Sequence, residues 1–125
     1  MYKMYNANPM LRRGDDCTVR AISKVLNKSW DEVYCSLCEY GRYNYDMPTS
    51  NHVWGQYLSD EGYTRHIVPN TCPACYTVRQ FANDHKEGKY ILALHGHVVA
   101  CIDGNYYDTW DSGDEVVIYY WRKGV

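Results

Sequence analysis

The first periodic run is CTVRAISKVLNK, residues 17–28, where Val19, Ile22, Val25 and Leu26 fall on one stripe at helical spacing. Asp15 or Asp16 stands ready to cap it. Ser29-Trp30-Asp31-Glu32 has the form of a capping box and predicts a second helix that ends at Gly41. Residues 41–48 read as a turn. Thr49 or Ser50 then caps a third helix, which carries Val53, Trp54, Tyr57 and Leu58 and stops before Gly62. TRHIV (64–68) suits a short strand closed by Pro69-Asn70, and 77–86 suits a fourth helix with Val78 and Phe81 inward, stopped at Gly88. Beyond that point the period changes from 3.6 to 2. Residues 89–94, 97–102, 106–110 and 115–121 are β-rich, and Asp103-Gly104 and Ser112-Gly113 have the composition of hairpin turns. Residues 1–14 show no clear period and read as an extended lead-in. Helices first and strands last is an α+β order, with the N-terminal helices covering a C-terminal antiparallel sheet.

Length and composition narrow this picture. The chain has 125 residues, which suits one domain spanning 1–125. A net charge of −2 argues against a nucleic-acid partner held by a basic field. No apolar run is long enough to cross a membrane and the N-terminus lacks an apolar signal core, so a cytoplasmic location is expected. Fourteen tyrosines against one phenylalanine suit a small domain with much half-buried surface. Six cysteines are many for a reducing compartment, where they serve as thiols, metal ligands or nucleophiles rather than disulfides.

The strongest chemical signal is GHVVACIDGNYYDTW, residues 96–110. With a two-residue Asp103-Gly104 loop, Ile102 pairs with Asn105 and Val99 with Asp108. Alternation then puts His97, Val99, Cys101, Asp108 and Trp110 on one face, with His97 and Asp108 as diagonal neighbours. A three-residue loop reverses this parity and makes Asp111 the partner. A histidine oriented by a carboxylate is a general base in want of a nucleophile. Cys17, at the start of the first helix, is the candidate. There the helix dipole and free N–H groups favour a thiolate and offer donors to an oxyanion. Each residue alone has a plainer reading, as a small buried thiol or as a structural polar pair. His95 shares the face of His97 and is a candidate substrate-side group. Trp110 is a candidate wall. Arg20, one turn after Cys17, is expected to pair with an Asp or to hold the N-terminal segment, and Asp111 to open the turn that closes on Gly113. His52, His66 and His85 read as surface groups.

DCTVRAI (16–22), HVV (97–99) and DGNYYDTWD (103–111) resemble the signature blocks of small papain-like cysteine hydrolases of phages and gut bacteria. More distantly they are similar to the bacteriocin-processing peptidase domains of ABC exporters. The closer resemblance spans about residues 14–121. It implies a papain-like fold in which Cys17 is the nucleophile, His97 the general base and Asp108 the orienter. It also implies a peptide or protein substrate, no cofactor, and a location in the cytoplasm of a bacterial host cell. Papain-like enzymes usually carry a Gln several residues before the nucleophile as an oxyanion donor. No Gln precedes Cys17 here, Asn6 and Asn8 are the only upstream side-chain amides, and Asn8 is the candidate substitute.

Two alternatives come from other classes. One is a binding module on the same fold with little or no activity. The other is a zinc-stapled interaction domain, with Cys35, Cys38, Cys72 and Cys75 of the two CxxC pairs as tetrahedral ligands. Cys35 and Cys38 lie inside the predicted second helix, where core packing is the competing expectation. Cys72-Pro73-Ala74-Cys75 also has the form of a thioredoxin-like redox motif, but no later proline exists to face it.

Overall fold

A computed structural model describes residues 1–69 and 73–124. The elements run β1 (Tyr2–Met4), α1 (Cys17–Leu26), α2 (Trp30–Asn44), α3 (Asn51–Asp60), β2 (Tyr63–Ile67), α4 (Val78–Asp84), β3 (Lys89–Leu94), β4 (His97–Ile102), β5 (Asn105–Asp108) and β6 (Tyr119–Lys123). The fold is mixed α+β, and its strands form one six-stranded sheet in the order β1-β5-β4-β3-β6-β2.

The pattern of the sequence accounts for most of these elements. Ser29 caps α2 through the expected reciprocal box with Glu32, and Thr77 and Gln80 form a second box at the start of α4. β3 and β4 have the bounds read from the sequence and pair from Lys89↔Ile102 to Leu94↔His97. The β4–β5 turn is the two-residue loop, with Ile102 opposite Asn105. Asp103 and Gly104 both take positive φ, 50° and 81°, as a type I′ turn requires.

Four expectations need correction. The sheet is not purely antiparallel, because the extended lead-in contains a strand, β1, that pairs in parallel with β5 (Tyr2↔Tyr106 to Met4↔Asp108). Strand β6 begins at Tyr119 rather than Glu115, and Ser112-Gly113 is no hairpin turn, since β5 and β6 are not neighbours. Gly113 is instead a point of close approach, where an added Cβ would lie 2.3 Å from the Tyr106 hydroxyl. Helix α2 passes through Gly41 to Asn44, and Tyr45 closes it in the left-handed conformation. Gly41 is needed because the Asp46 carbonyl would lie 2.7 Å from any Cβ there.

The sheet is covered on both faces, by more than the N-terminal helices. Val19, Ile22 and Val25 of α1, Leu37 of α2 and Trp54 and Leu58 of α3 pack with Ile91, Ala93, Val98 and Ala100. Val78, Phe81 and Ala82 of α4 pack with the alternate strand residues Leu92, Leu94, Val99, Cys101 and Tyr106. This explains why β3 and β4 read as continuous apolar runs rather than alternating ones. Burial of a side chain such as Ile22 or Leu37, both fully enclosed, contributes about 1.5–3 kcal/mol. Among the described residues no helix is long and apolar enough to cross a membrane.

Candidate active site

Cys17 is the first residue of α1, and Asp16 occupies the cap position before it. The Asp16 side chain does not cap the helix. Its carboxylate turns instead to Arg20 one turn along, to Asn8 Nδ2 at 3.2 Å and to Trp30 Nε1 at 3.0 Å. The first-turn N–H groups of α1 are therefore left without a side-chain acceptor at the end where Cys17 sits.

His97 opens β4. It shares strand parity with Val99 and Cys101 and, one register step past Ala100↔Tyr107, with Asp108. Its Nε2 lies 2.6 Å from Asp108 Oδ2, the pairing expected from a two-residue loop. Asp108 is 3% exposed and has no free oxygen. Oδ2 also accepts from Ser112 Oγ at 2.8 Å, and Oδ1 accepts from the Thr109 N–H at 2.7 Å. The Asp108 carbonyl accepts from the Tyr5 N–H and the Tyr2 hydroxyl, so β1 braces the strand that carries the carboxylate.

With Nε2 given to Asp108, Nδ1 is the ring nitrogen left for Cys17, which lies close enough to His97 for each to shift the other's pKa. Burial alone pushes the Cys17 thiol up. The hydrogen bond and positive charge of His97, the Val98 backbone N–H and the Arg20 charge outweigh it, and the thiol falls below its ordinary value. Burial likewise pushes the His97 imidazole down, but its bonds to Asp108 and Cys17 carry it up to about 9. Both shifts favour a thiolate–imidazolium pair.

Cys17 and His97 line a cleft of about 560 Å³, and Asp108 is buried behind His97, outside the lining. Arg13, Gly14 and Asp15 flank it on one side, Thr49, Asn51 and Trp54 on another, and Gly96, Thr109 and Trp110 complete it. Trp110 is half exposed, and its ring centre lies 5.2 Å from that of His97. It forms the wall expected of it.

Other expectations fail here. Asn8 does not line the cleft. Its amide nitrogen goes to Asp16 and its oxygen accepts the Met10 N–H at 2.8 Å, so it braces the lead-in and offers the cleft no donor. His95 occupies the two-residue turn between β3 and β4, exposed and outside the cleft lining. Alternation stops applying once the chain leaves the strand. His85 is half-buried rather than a surface group, stacked on Phe81 at 3.8 Å. Asp111 accepts the Gly113 N–H, as expected of a turn opener.

Among the described residues, the remaining cysteines do not converge. Cys35 is exposed on α2, against the core-packing expectation, and Cys38 is half-buried. Cys75 is exposed, and Cys72 lies outside the described residues. Among the described residues no three His, Cys, Asp or Glu side chains come together as a metal site, so Cys35, Cys38 and Cys75 do not form three sides of the four-cysteine zinc site. Cys101 is fully buried, and burial pushes its thiol up to about 12.

Sequence reasoning missed the contacts that saturate Asp108 and the wall supplied by the start of α3. DTWDSG (108–113) held the first of these, as an acid followed by a run of turn formers whose N–H and hydroxyl groups fold back on it. Set against models of protein families, curated proteins and solved structures, the chain matches none of them.

Proposed function

We propose that the protein is a thiol hydrolase of papain-like type, acting on a peptide, amide or isopeptide bond. The observation that carries this reading is that Cys17 and His97 share an open cleft, with His97 held from behind by the buried Asp108 carboxylate. The resemblance of residues 16–22, 97–99 and 103–111 to papain-like hydrolases supports it.

In this reading the Cys17 thiolate attacks the substrate carbonyl carbon and its electron pair moves to the oxygen. The unoccupied N–H groups at the start of α1 face the developing charge and take the part for which Asn8 is not placed. The oxyanion collapses, the carbon–nitrogen bond breaks, and His97 Nδ1 gives its proton to the departing amine. Water then attacks the thioester while His97 takes up its proton, which releases the acid and restores the thiolate–imidazolium pair. Asp108 keeps Nδ1 turned towards sulfur and stabilises the imidazolium. The residues that do this are the protein's own, and the substrate is a peptide or protein.

A second reading, a binding module that retains a reactive cysteine, is favoured by one observation: no side-chain amide takes the upstream oxyanion position. Incubation with p-nitrophenyl acetate, followed by intact mass and peptide mapping, separates the two. The hydrolase reading predicts a transient acetyl group on Cys17 that turns over and is absent from Cys17→Ala. A stable adduct with no turnover supports the binding module, and no adduct on Cys17 overturns both.

A further inference from the structure

The hydrolase reading leaves one buried charge unused. Arg20 is 5% exposed, yet its guanidinium reaches both carboxylates that frame the site. One arm pairs with Asp16 and lies 3.5 Å from the Gly14 carbonyl, in the segment leading into Cys17. The other arm lies 3.7 Å from Asp108 Oδ1, the oxygen that does not face His97. Burying a guanidinium is costly unless its partners are well placed, and these partners sit on the two parts of the chain that must meet for the site to exist.

Resting on the hydrolase reading, we propose that Arg20 is a positioning residue. Its two-armed guanidinium ties the start of the nucleophile's helix to the end of β5, fixes Asp108 on His97 and supplies the standing positive charge beside Cys17. Geometry gives it this role more than charge alone. Asp108 has four contacts, from His97, Ser112, the Thr109 N–H and Arg20, and only Arg20 comes from α1. Asp16 is in turn held by Asn8 and Trp30, so the clamp is anchored in the lead-in and α2 as well. A lysine at position 20 keeps the charge but has no fork with which to span two carboxylates.

The other charged and titratable groups around it are few. Cys17 and Asp16 come from the start of α1, His97 from β4 and Asp108 from β5. Tyr2 of β1 donates to the Asp108 carbonyl, and Arg13 and Asp15 line the same cleft. Lys24, a turn further along α1, is turned away over the rings of Tyr5 and Tyr107. Among the described lysines and arginines, Arg20 alone lies within ion-pair range of Asp16 or Asp108, and its field lowers the Cys17 thiol.

The test is the pH profile of iodoacetamide alkylation at Cys17 in the full chain, read by peptide mapping, with circular dichroism to check folding. For Arg20→Gln the midpoint is expected to rise by about one unit, which is about tenfold slower alkylation on the acid limb. Arg20→Lys is expected to fall between the two, about two- to threefold slower, because the charge returns without the fork. A folded Arg20→Gln protein with the wild-type profile overturns the proposal. If Arg20→Gln does not fold, Arg20→Lys decides, since a profile superimposed on the wild type overturns it equally. If wild-type Cys17 alkylates no faster than the exposed Cys35, the hydrolase reading fails instead, and the two failures are told apart.

Discussion

Strand β4 has a titratable group near each end, and the two environments are opposites. At its start, His97 meets Cys17 in a cleft and Asp108 behind it, and each charge has an opposite partner. Four residues on, Cys101 faces the same side of the sheet but packs among Leu92, Val99, Phe81 and Tyr106. There burial outweighs the opposing charge of the N-terminus and drives the thiol up to about 12. Cys17 is also substantially buried, yet its thiol moves down because a histidine, a backbone N–H and a guanidinium answer it. Burial alone makes a cysteine inert. Burial with matched partners makes it a nucleophile.

This contrast can be broken most severely at His97. On the hydrolase reading, His97→Ala removes the proposed acid–base group and the cation facing sulfur, and hydrolysis is expected to fall by about 10³-fold or more. Cys17 alkylation at pH 6 should fall with it, while Cys101 stays unreactive. Rapid alkylation of Cys17 in this variant contradicts the pairing.

The next largest effect is expected from Asp108→Asn. The amide no longer fixes the ring so that Nδ1 faces sulfur, and turnover should drop by about 10²–10⁴-fold. The His97 pKa, followed by proton NMR of the ring, should fall from about 9. An unchanged histidine titration would show that Asp108 does not orient it.

A smaller effect concerns stability. His97 has a raised folded-state pKa, so its contribution is complete below about 6.5 and is lost as pH rises towards 9. Cys17 is lowered and works in the opposite sense, its contribution present above the ordinary thiol range and lost as pH falls. A Cys17→Ala background isolates the histidine. Its unfolding free energy should decline above pH 6.5 by on the order of 1 kcal/mol, over a window that ends below 9 because the Cys17 part of the histidine shift is gone, and adding Asp108→Asn should flatten that slope. A level urea-denaturation profile in Cys17→Ala argues against the His97–Asp108 bond.

The smallest effect belongs to the wall. Trp110 is half exposed beside His97, and Trp110→Ala should change peptide turnover only severalfold, mainly through KM, with little change in melting temperature. A loss as large as that of His97→Ala would mean that Trp110 does more than line the cleft.

Much of this site was legible in the sequence, for specific physical reasons. Alternation and the Asp103-Gly104 turn fix which residues share a face, and the observed pairing of Ile102 with Asn105 agrees with them. The helix start at Cys17 follows from the apolar stripe behind it. What escaped depends on contacts between distant segments. Tyr2–Met4 is too short to show a period, and it becomes a strand only because the β5 edge is there to pair with it. The α4 helix covers the second sheet face, which the apolar runs of β3 and β4 implied without naming the cover. Asn8 was assigned to the cleft by its place in the chain, whereas the competing Asp16 carboxylate claims its amide. Gly41 and Gly113 looked like punctuation, and both are close approaches that no single-sequence pattern reveals.

The central claim is that Cys17 is a nucleophile set apart from the other thiols by His97. Site-resolved alkylation rates for Cys17, Cys35, Cys38, Cys75 and Cys101, measured by mass spectrometry between pH 5 and 9, test it most directly. The account predicts that Cys17 reacts at least about tenfold faster than any of the others at pH 6, and that His97→Ala removes this lead. Cys17 reacting no faster than Cys35, or keeping its lead without His97, would contradict it.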